Sequence, residues 1–311
     1  MHKLIENEVS HLIPDLERHG IGISSQTEIP WGLQLRLHKD AEQVVLNVYY
    51  SEKKGLSRVL GGKRESALYQ ELSSLLDAGR GKPAASLPLH AWQHWCGSDE
   101  CGKGDYFGAL VVAAFAVSQA DLPRLQALGI MDSKRLSDPQ IKEIAKQLYS
   151  EFPSAISCIV LKPVKYNEIY ANMKSQGKNL NDLLAWQHGT VLSELKSRIP
   201  GLEGALVDQF SPSKKVQKLL KTKLPLFSVI ERTGAEADIA VAAASIVARY
   251  QFVQTHEAMR RYYKLDFPFG ANSKVKKTAG EFIAKYGFKR LGEAAKLHFV
   301  TTGQLSQQSF L

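Results

Sequence analysis

Apolar and polar positions in the first 80 residues follow two different periods. Over 4–16 the apolar residues recur every three or four positions, which predicts an amphipathic helix, and a second helix is predicted over 66–76. Over 33–37 leucines alternate with polar residues, and 44–50 is rich in Val, Leu and Tyr, so both segments are predicted as strands. The segment therefore predicts a small α+β domain, which we place at 1–77.

A stretch rich in Gly, Pro, Ala and Ser follows over 78–91 and is typical of a linker between domains. Beyond it, short apolar runs alternate with longer periodic segments, which indicates an α/β domain over 92–311. Strands are predicted over 107–117, 155–161, 204–208 and 226–230, and helices over 138–150, 180–198, 236–263, 279–286 and 291–297.

Composition narrows the classes of function. The chain has 311 residues, 44% of them hydrophobic, which is enough for two packed domains. Its net charge of +9 arises entirely after residue 85 and favours an anionic partner. Three cysteines are too few, and of the wrong parity, for a disulfide framework. With no secretory signal and no apolar run of membrane-spanning length, we expect a soluble cytoplasmic protein that binds no membrane.

Four acidic residues stand out because each occupies the end of an apolar element. Asp99 and Glu100 adjoin the turn Gly-Lys-Gly at 102–104, which precedes a buried strand. Asp208 ends a short apolar run, where acids of α/β proteins point into a ligand crevice, and Asp238 opens an apolar helix. Taken singly, each acid could be a turn residue or a helix-terminal charge. Taken together, they predict a site for Mg²⁺ or Mn²⁺, which prefer oxygen ligands.

Neighbouring side chains on a strand point to opposite faces. Asp99 and Glu100 can therefore share a site only where the strand ends or bends, and the glycines at 102 and 104 allow such a bend. His90, His94, Cys96 and Cys101 suggest an alternative zinc site, but their spacing is not a common zinc pattern and a strand should run through it. We therefore favour the carboxylate site.

Four segments between 92 and 300 carry a family resemblance. They are Gly-Ser-Asp-Glu-Cys-Gly-Lys-Gly at 97–104, Asp-Ser-Lys-Arg-Leu at 132–136, Val-Asp at 207–208 and Ala-Asp-Ile-Ala-Val-Ala-Ala-Ala-Ser-Ile-Val-Ala-Arg at 237–249. Together they resemble the type 2 ribonucleases H, which cut the RNA strand of RNA–DNA hybrids. The Gly-Lys-Gly turn and the N-terminal domain resemble ribonuclease HIII in particular.

The resemblance implies a ribonuclease H-like fold, with a mixed central sheet flanked by helices, preceded by a TBP-like domain that binds the hybrid. It implies that Asp99, Glu100, Asp208 and Asp238 are the catalytic and metal-binding residues. It further implies substrate contacts by eight residues: Cys101, Gly102, Lys103, Gly104, Ser133, Lys134, Ser245 and Arg249. In this family the backbone of the Gly-Lys-Gly segment reads the 2′-hydroxyl of RNA, and the Asp-Ser-Lys segment holds a phosphate.

The predicted function is therefore an endonuclease that hydrolyses RNA in hybrids and leaves 5′-phosphates. Two divalent cations about 3.5–4 Å apart would activate water, neutralise the phosphate and stabilise the leaving oxygen. We expect a monomer, because the enzyme must surround a duplex. Two alternatives remain open: excision of single ribonucleotides from DNA, as by ribonuclease HII, and binding of hybrids without catalysis. Four acids facing a polyanion argue against the second alternative, because without metal they repel phosphate.

Overall fold

The structure is a computed structural model that describes residues 2–51, 55–63, 66–79, 90–131, 133 and 136–308. The chain divides into two compact units, one within 1–89 and one within 90–311. Most of the predicted linker at 78–91 lies outside the described residues. Among the helices that the structure describes, none combines the length and the apolar character needed to cross a membrane.

The first unit is an antiparallel sheet of four strands with two helices. Its elements are α1 (Lys3–Arg18), β1 (Gly22–Ile29), β2 (Gly32–Lys39), β3 (Glu42–Ser51), β4 (Gly55–Gly61) and α2 (Ala67–Gly79), and the strand order is β1-β2-β3-β4. The predicted α+β character is confirmed, as are the two helices and the two central strands. The edge strands β1 and β4 were not predicted, because they carry few apolar residues in alternation.

One face of this sheet forms the core of the first unit with α1 and α2. The buried residues from both helices and the central strands are Ile5, Val9, Leu12, Leu16, Leu33, Leu35, Leu37, Val44, Leu46, Val48, Leu68, Leu72 and Leu76. The other face is more polar: Gln34 Nε2 donates to Asn47 Oδ1 (2.9 Å), and Arg36 is exposed. The first unit therefore presents an open sheet face rich in hydrogen-bonding side chains.

The second unit is a mixed five-stranded sheet of order β7-β6-β5-β8-β9, flanked by helices. Strand β6 runs antiparallel to β5 and β7, whereas β8 and β9 run parallel to β5. This arrangement confirms the predicted fold class. The elements are β5 (His94–Cys101), β6 (Leu110–Ser118), α3 (Leu122–Ala127), α4 (Asp138–Glu151), β7 (Ile156–Leu161), α5 (Pro163–Ser175), α6 (Leu180–Arg198), β8 (Gly204–Asp208), α7 (Lys215–Lys223), β9 (Ser228–Arg232), α8 (Ile239–Tyr263), α9 (Ser273–Tyr286) and α10 (Val300–Gln308).

Helix α8 lies directly against β5, and Gly97 makes this possible. A Cβ atom at Gly97 would overlap the backbone nitrogen of Val241, so only glycine fits. Four helical residues advance about 6 Å and two strand residues about 6.6 Å, so the two elements stay in step along their length. One turn after Val241, Ser245 hydrogen-bonds to Asp99, two residues after Gly97. The packing of an apolar helix thus brings a hydroxyl to an acidic residue.

The predicted helix at 291–297 is wrong. A short 3₁₀ segment spans Phe288–Glu293 instead, and Lys296 after it is fully buried. Its Nζ donates to the carbonyl oxygens of Gly108 (2.8 Å), Ala109 (3.3 Å) and Phe107 (3.4 Å). Sequence periodicity assigned this lysine to a helix because it cannot reveal that the ammonium group is satisfied by a distant loop.

We predict that Gly97→Ala lowers the free energy of unfolding by about 3 kcal/mol, because α8 must move away from β5 to admit the methyl group. Urea unfolding measures the change. Gly280→Ala in α9 is the matched control, because no atom lies within 4 Å of its added Cβ. Removing a helical glycine there should stabilise the protein by about 0.5–1 kcal/mol. Equal stability of Gly97→Ala and wild type would contradict the close contact.

Candidate active site

A cleft of about 550 Å³ opens where β5 and β8 end. Leu136, Asp138 and ten of the predicted site residues line it; the ten are Asp99, Glu100, Cys101, Gly102, Lys103, Gly104, Ser133, Asp208, Ser245 and Arg249. Lys134 lies outside the described residues. Segments more than 100 residues apart in the sequence therefore meet at one end of the sheet.

Asp99 and Glu100 leave β5 on opposite faces, as strand geometry requires. Asp99 turns towards α8, where it accepts a hydrogen bond from Ser245, and its Oδ1 also accepts the backbone N–H of Glu100 at 2.8 Å. Burial raises the pKa of Asp99 to about 6, and the negative charges of Glu100 and Asp208 add to this effect. The site therefore holds a carboxylate whose charge is poorly compensated.

Glu100 turns towards α6 and meets positive or hydrogen-bonding groups there. Its Oε2 lies 3.3 Å from His188 Nε2, and its Oε1 lies 3.4 Å from Lys103 Nζ. Burial alone would raise the pKa of Glu100, but His188 and Lys103 together lower it. These contacts therefore favour the ionised form of Glu100, whereas the pKa of its neighbour Asp99 is raised.

Asp208, at the end of β8, forms a second acidic pair with a residue that sequence reasoning missed. Its carboxyl group is in hydrogen-bond contact with that of Glu236, and its Oδ1 accepts the backbone N–H of Ala235 at 3.3 Å. Burial and the charge of Glu236 raise the pKa of Asp208. Glu236 Oε2 is buried and finds no hydrogen-bond partner among the described residues. Two carboxyl groups in contact need a shared proton or a cation.

Asp238, the fourth acid of the predicted set, makes different contacts, and its predicted part in the site stays a prediction. It caps α8: its Oδ1 accepts the backbone N–H of Ala240 (2.8 Å) and Trp95 Nε1–H (3.0 Å), and its Oδ2 lies 3.3 Å from His90 Nε2. Trp95 precedes Asp99 by four residues, about 13 Å along the strand. Asp238 therefore lies at the far end of β5 with its carboxylate fully engaged.

The motif Ala-Glu-Ala-Asp at 235–238 offers two acids before an apolar helix, and the sequence pattern favours the one that adjoins the helix. The chain forms a 3₁₀ turn over Ala235–Ala237 and enters α8 only at Ile239, so the earlier acid reaches Asp208. The sequence signal was present, but choosing between the two acids needed the path of the turn.

The Gly-Lys-Gly segment brings backbone to the surface of the cleft. Gly102 has φ of +91°, and a Cβ there would overlap the carbonyl oxygen of Ala109. A Cβ at Gly104 would meet no atom within 4 Å, so this side of the turn is open. The turn therefore exposes peptide groups that a bound molecule can approach closely.

Hydroxyl and guanidinium groups complete the wall formed by α8. Ser133 Oγ lies 2.6 Å from Ser245 Oγ, so Ser133 reaches the helix. Arg249 donates to both carboxylate oxygens of Asp138, from Nε at 3.0 Å and from Nη2 at 3.3 Å, and stacks over the ring of Phe269 at 4.7 Å. Arg249 therefore enters the cleft in a fixed orientation rather than as a free surface charge.

The donor chemistry of the cleft fits hard divalent cations. In the described part of the chain, no three His, Cys, Asp or Glu side chains converge closely enough to hold an ion as they stand. Asp99, Glu100 and Asp208 nevertheless line one cleft, and Glu236, in contact with Asp208, has a buried oxygen without a partner among the described residues. The alternative zinc set does not fit, because Cys96 and Cys101 lie about 16 Å apart along the strand.

We predict that the metal-free protein loses stability between pH 4 and pH 6 because of Asp99. Its folded-state pKa of about 6 exceeds the ordinary value of 3.8, so protonation favours the folded state and ionisation removes that advantage as pH rises. In chelator at pH 7, Asp99→Asn should therefore be more stable than wild type by up to about 3 kcal/mol. Urea unfolding at pH 4 and 7 tests this. Glu143→Gln, an exposed acid on α4, should change little; no gain for Asp99→Asn would refute the repulsion.

Comparison with known proteins agrees with this geometry. The family model described as ribonuclease HII matches residues 96–302. The ribonuclease HIII of Protochlamydia amoebophila is 35% identical over 293 residues, which cover 93% of this chain and 91% of the relative. The ribonuclease HIII of Chlamydia pneumoniae is 38% identical and covers 67% of this chain and 69% of the relative.

Two solved structures resemble the whole chain. The crystal structure of Bst-RNase HIII in complex with Mn²⁺ superposes with a TM-score of 0.64 at 28% identity, covering 96% of each chain. The crystal structure of Aquifex aeolicus RNase H3 gives a TM-score of 0.54 at 26% identity, covering 94% of this chain and 96% of the other. The chain therefore belongs to the ribonuclease HII family and, within it, to the ribonuclease HIII enzymes.

Proposed function

We propose that Asp99, Glu100, Asp208 and Glu236 hold the divalent cations with which this ribonuclease H hydrolyses the RNA strand of RNA–DNA hybrids. The observation that carries the proposal is the buried contact between Asp208 and Glu236 beside Asp99, with a Glu236 oxygen left unpartnered. Carboxylate oxygens are the ligands that Mg²⁺ and Mn²⁺ prefer. The related Bst-RNase HIII was crystallised with Mn²⁺, which supports the same cation here.

When bound, two such cations would supply the activated water, the neutralised phosphate and the stabilised leaving oxygen that phosphodiester hydrolysis requires, and we expect products that carry 5′-phosphates. The four carboxylates provide the binding charge, which explains why the protein keeps acids that repel one another. Lys103 adds a positive side chain at the lip of the cleft, where its Nζ also lies 5.3 Å from the ring of Phe210. The protein thus supplies the metal ligands and one positive side chain beside them.

The turn at 101–104 supports recognition of RNA. Distinguishing RNA from DNA requires a contact with the 2′-hydroxyl, which the minor groove of the hybrid displays. Peptide groups of Cys101, Gly102, Lys103 and Gly104 line the cleft beside the acids, so a ribose at the cut position can lie against them. Gly104 matters here because a side chain in the open space beside it would hold the sugar away, and Gly102 matters because a Cβ there would overlap Ala109 and distort the turn.

Ser133, Ser245 and Arg249 are proposed to place the phosphate. Ser133 and Ser245 share a hydrogen bond at the wall of the cleft, and Arg249 is oriented by Asp138. Lys134, for which the family resemblance implies the same role, adjoins Ser133 in the sequence. These groups carry less positive charge than the nearby acids carry negative charge. We therefore expect phosphate to bind there only when the cations are present.

We propose that one unit binds the hybrid and the other cleaves it. The unit we place at 1–77 would bind the hybrid through its open sheet face, where Gln34, Arg36 and Asn47 offer hydrogen bonds, and the unit at 92–311 would cut it. On the catalytic unit, Lys214, Lys218 and Lys221 line a shallow cavity on α7 and suit a phosphate backbone. We expect the enzyme to act as a monomer in the cytoplasm.

The test is incubation of the purified protein with end-labelled duplexes in Mg²⁺, Mn²⁺ or EDTA. We expect cuts throughout a long RNA tract paired with DNA, new 5′-phosphate ends, and no cleavage in EDTA. A duplex with one embedded ribonucleotide should be cut poorly, whereas preferential cutting there would favour the ribonuclease HII-like alternative. Binding of the hybrid without cleavage in any metal would favour the non-catalytic alternative.

We predict that Glu236→Gln lowers kcat by at least about 100-fold, because it removes a charged ligand of the cations, comparable to the loss of a transition-state charge stabiliser. Asp238→Asn is the matched control two residues away and should retain nearly wild-type kcat, with a loss of stability from its weaker helix cap. Asp99→Asn should abolish cleavage while hybrid binding persists. The reverse order, with Asp238→Asn inactive and Glu236→Gln active, would return the fourth ligand to Asp238.

A further inference from the structure

His188 is a buried polar residue for which the proposed mechanism has no role so far. It lies in the middle of α6 with no exposed surface. Its Nδ1 lies 2.9 Å from Ser98 Oγ, and its Nε2 lies 3.3 Å from Glu100 Oε2. The imidazole thus bridges two residues of β5 that are two positions apart and point to the same face.

The ring is held from several sides. Phe210, in the loop after β8, stacks on it with ring centroids 5.2 Å apart and an angle of 18° between the planes. The next residue on α6 is Gly189, where a Cβ would approach Leu219 of α7 to 2.6 Å, so α6 and α7 pack closely at this level. A buried ring stacked on one face and hydrogen-bonded at Nδ1 has little freedom to rotate.

We propose that His188 is a positioning residue that orients Glu100 for cation binding. The inference rests on the proposed function, in which Glu100 is a ligand. His188 Nε2 is buried 3.3 Å from Glu100 Oε2 without a well-formed hydrogen bond to any described residue. Because an ionised carboxylate can only accept hydrogen bonds, we place the proton on Nε2, facing Glu100. In the neutral ring Nδ1 is then the acceptor, and Ser98 donates to it. The hydrogen bond from Ser98 therefore favours the tautomer with its proton on Nε2. In that tautomer the Nε2–H points at Glu100.

A positioning role for His188 would explain how Glu100 is directed towards the cleft. Glu100 leaves β5 on the face opposite Asp99, so nothing in the strand itself turns it towards the shared cleft. Its other contact, Lys103, has a side chain that is 34% exposed. The buried imidazole is the fixed contact. A residue that hydrogen-bonds to a metal ligand without touching the metal typically raises the metal affinity 10–100-fold.

The experiment measures Mn²⁺ binding by calorimetry and cleavage of a labelled hybrid for two variants of the full chain. His188→Leu keeps the volume but loses the N–H, and we expect its Kd for Mn²⁺ to rise about 10–100-fold, with kcat falling and the KM for the hybrid little changed. His188→Gln keeps an N–H at similar reach and should stay within about 3-fold of wild type. Gln187→Leu, the preceding buried polar residue of α6, is the matched control and should bind Mn²⁺ normally.

A double-mutant cycle separates positioning from general damage. In a Glu100→Gln background, His188→Leu should cause no further loss of Mn²⁺ affinity, because the carboxylate that it positions is gone. Ser98→Ala should weaken Mn²⁺ binding in the same direction, and it replaces His188→Leu as the test if that variant does not fold.

Three outcomes would overturn the inference: normal Mn²⁺ binding by folded His188→Leu, equal damage from the Leu and Gln variants, or an undiminished effect of His188→Leu without Glu100. Each leaves the proposed function standing, provided that wild type binds Mn²⁺ and cuts the hybrid. Failure of wild type to bind Mn²⁺ or to cleave would instead refute the proposed function, and the inference with it.

Discussion

The contact between α8 and β5 at Gly97 is the constraint on which the catalytic unit depends. Because no side chain separates the two backbones, the helix is held at a fixed height along the strand. Strand and helix then advance at nearly equal rates, so Ser245 meets Asp99 and Arg249 follows on the next turn. The apolar residues of α8 provide burial free energy, and the same burial places polar groups where chemistry is needed.

The acidic residues of the cleft lower the stability of the folded protein. Burial and like charge raise the pKa of Asp99 and Asp208, and Glu236 keeps a buried oxygen without a partner in the described residues. Functional sites commonly break the rules that the rest of a fold obeys, at a cost in stability. A cation bound among the carboxylates would offset their mutual repulsion and give the Glu236 oxygen a partner, which is the role that the proposed function assigns to these acids.

Much of the fold could be predicted from periodicity alone. Both central strands of the first unit and helices α4, α6 and α8 followed from their apolar patterns, because these elements bury a continuous face or are buried on all sides. The edge strands β1 and β4 and the helices α3, α5 and α10 escaped prediction. Such elements bury few side chains, so their apolar signal is weak.

By itself, the sequence determined the α/β class, the presence of a small α+β unit, and an acidic site beginning at Asp99 and Glu100. These depend on local patterns and on residue types that few chemistries share. Only the tertiary structure decided that Glu236 rather than Asp238 contacts Asp208, and that the buried His188 contacts Glu100. The path of one 3₁₀ turn and the packing of α6 determine these contacts. Contacts between segments far apart in the sequence depend on the folded chain, so local residue spacing cannot predict them.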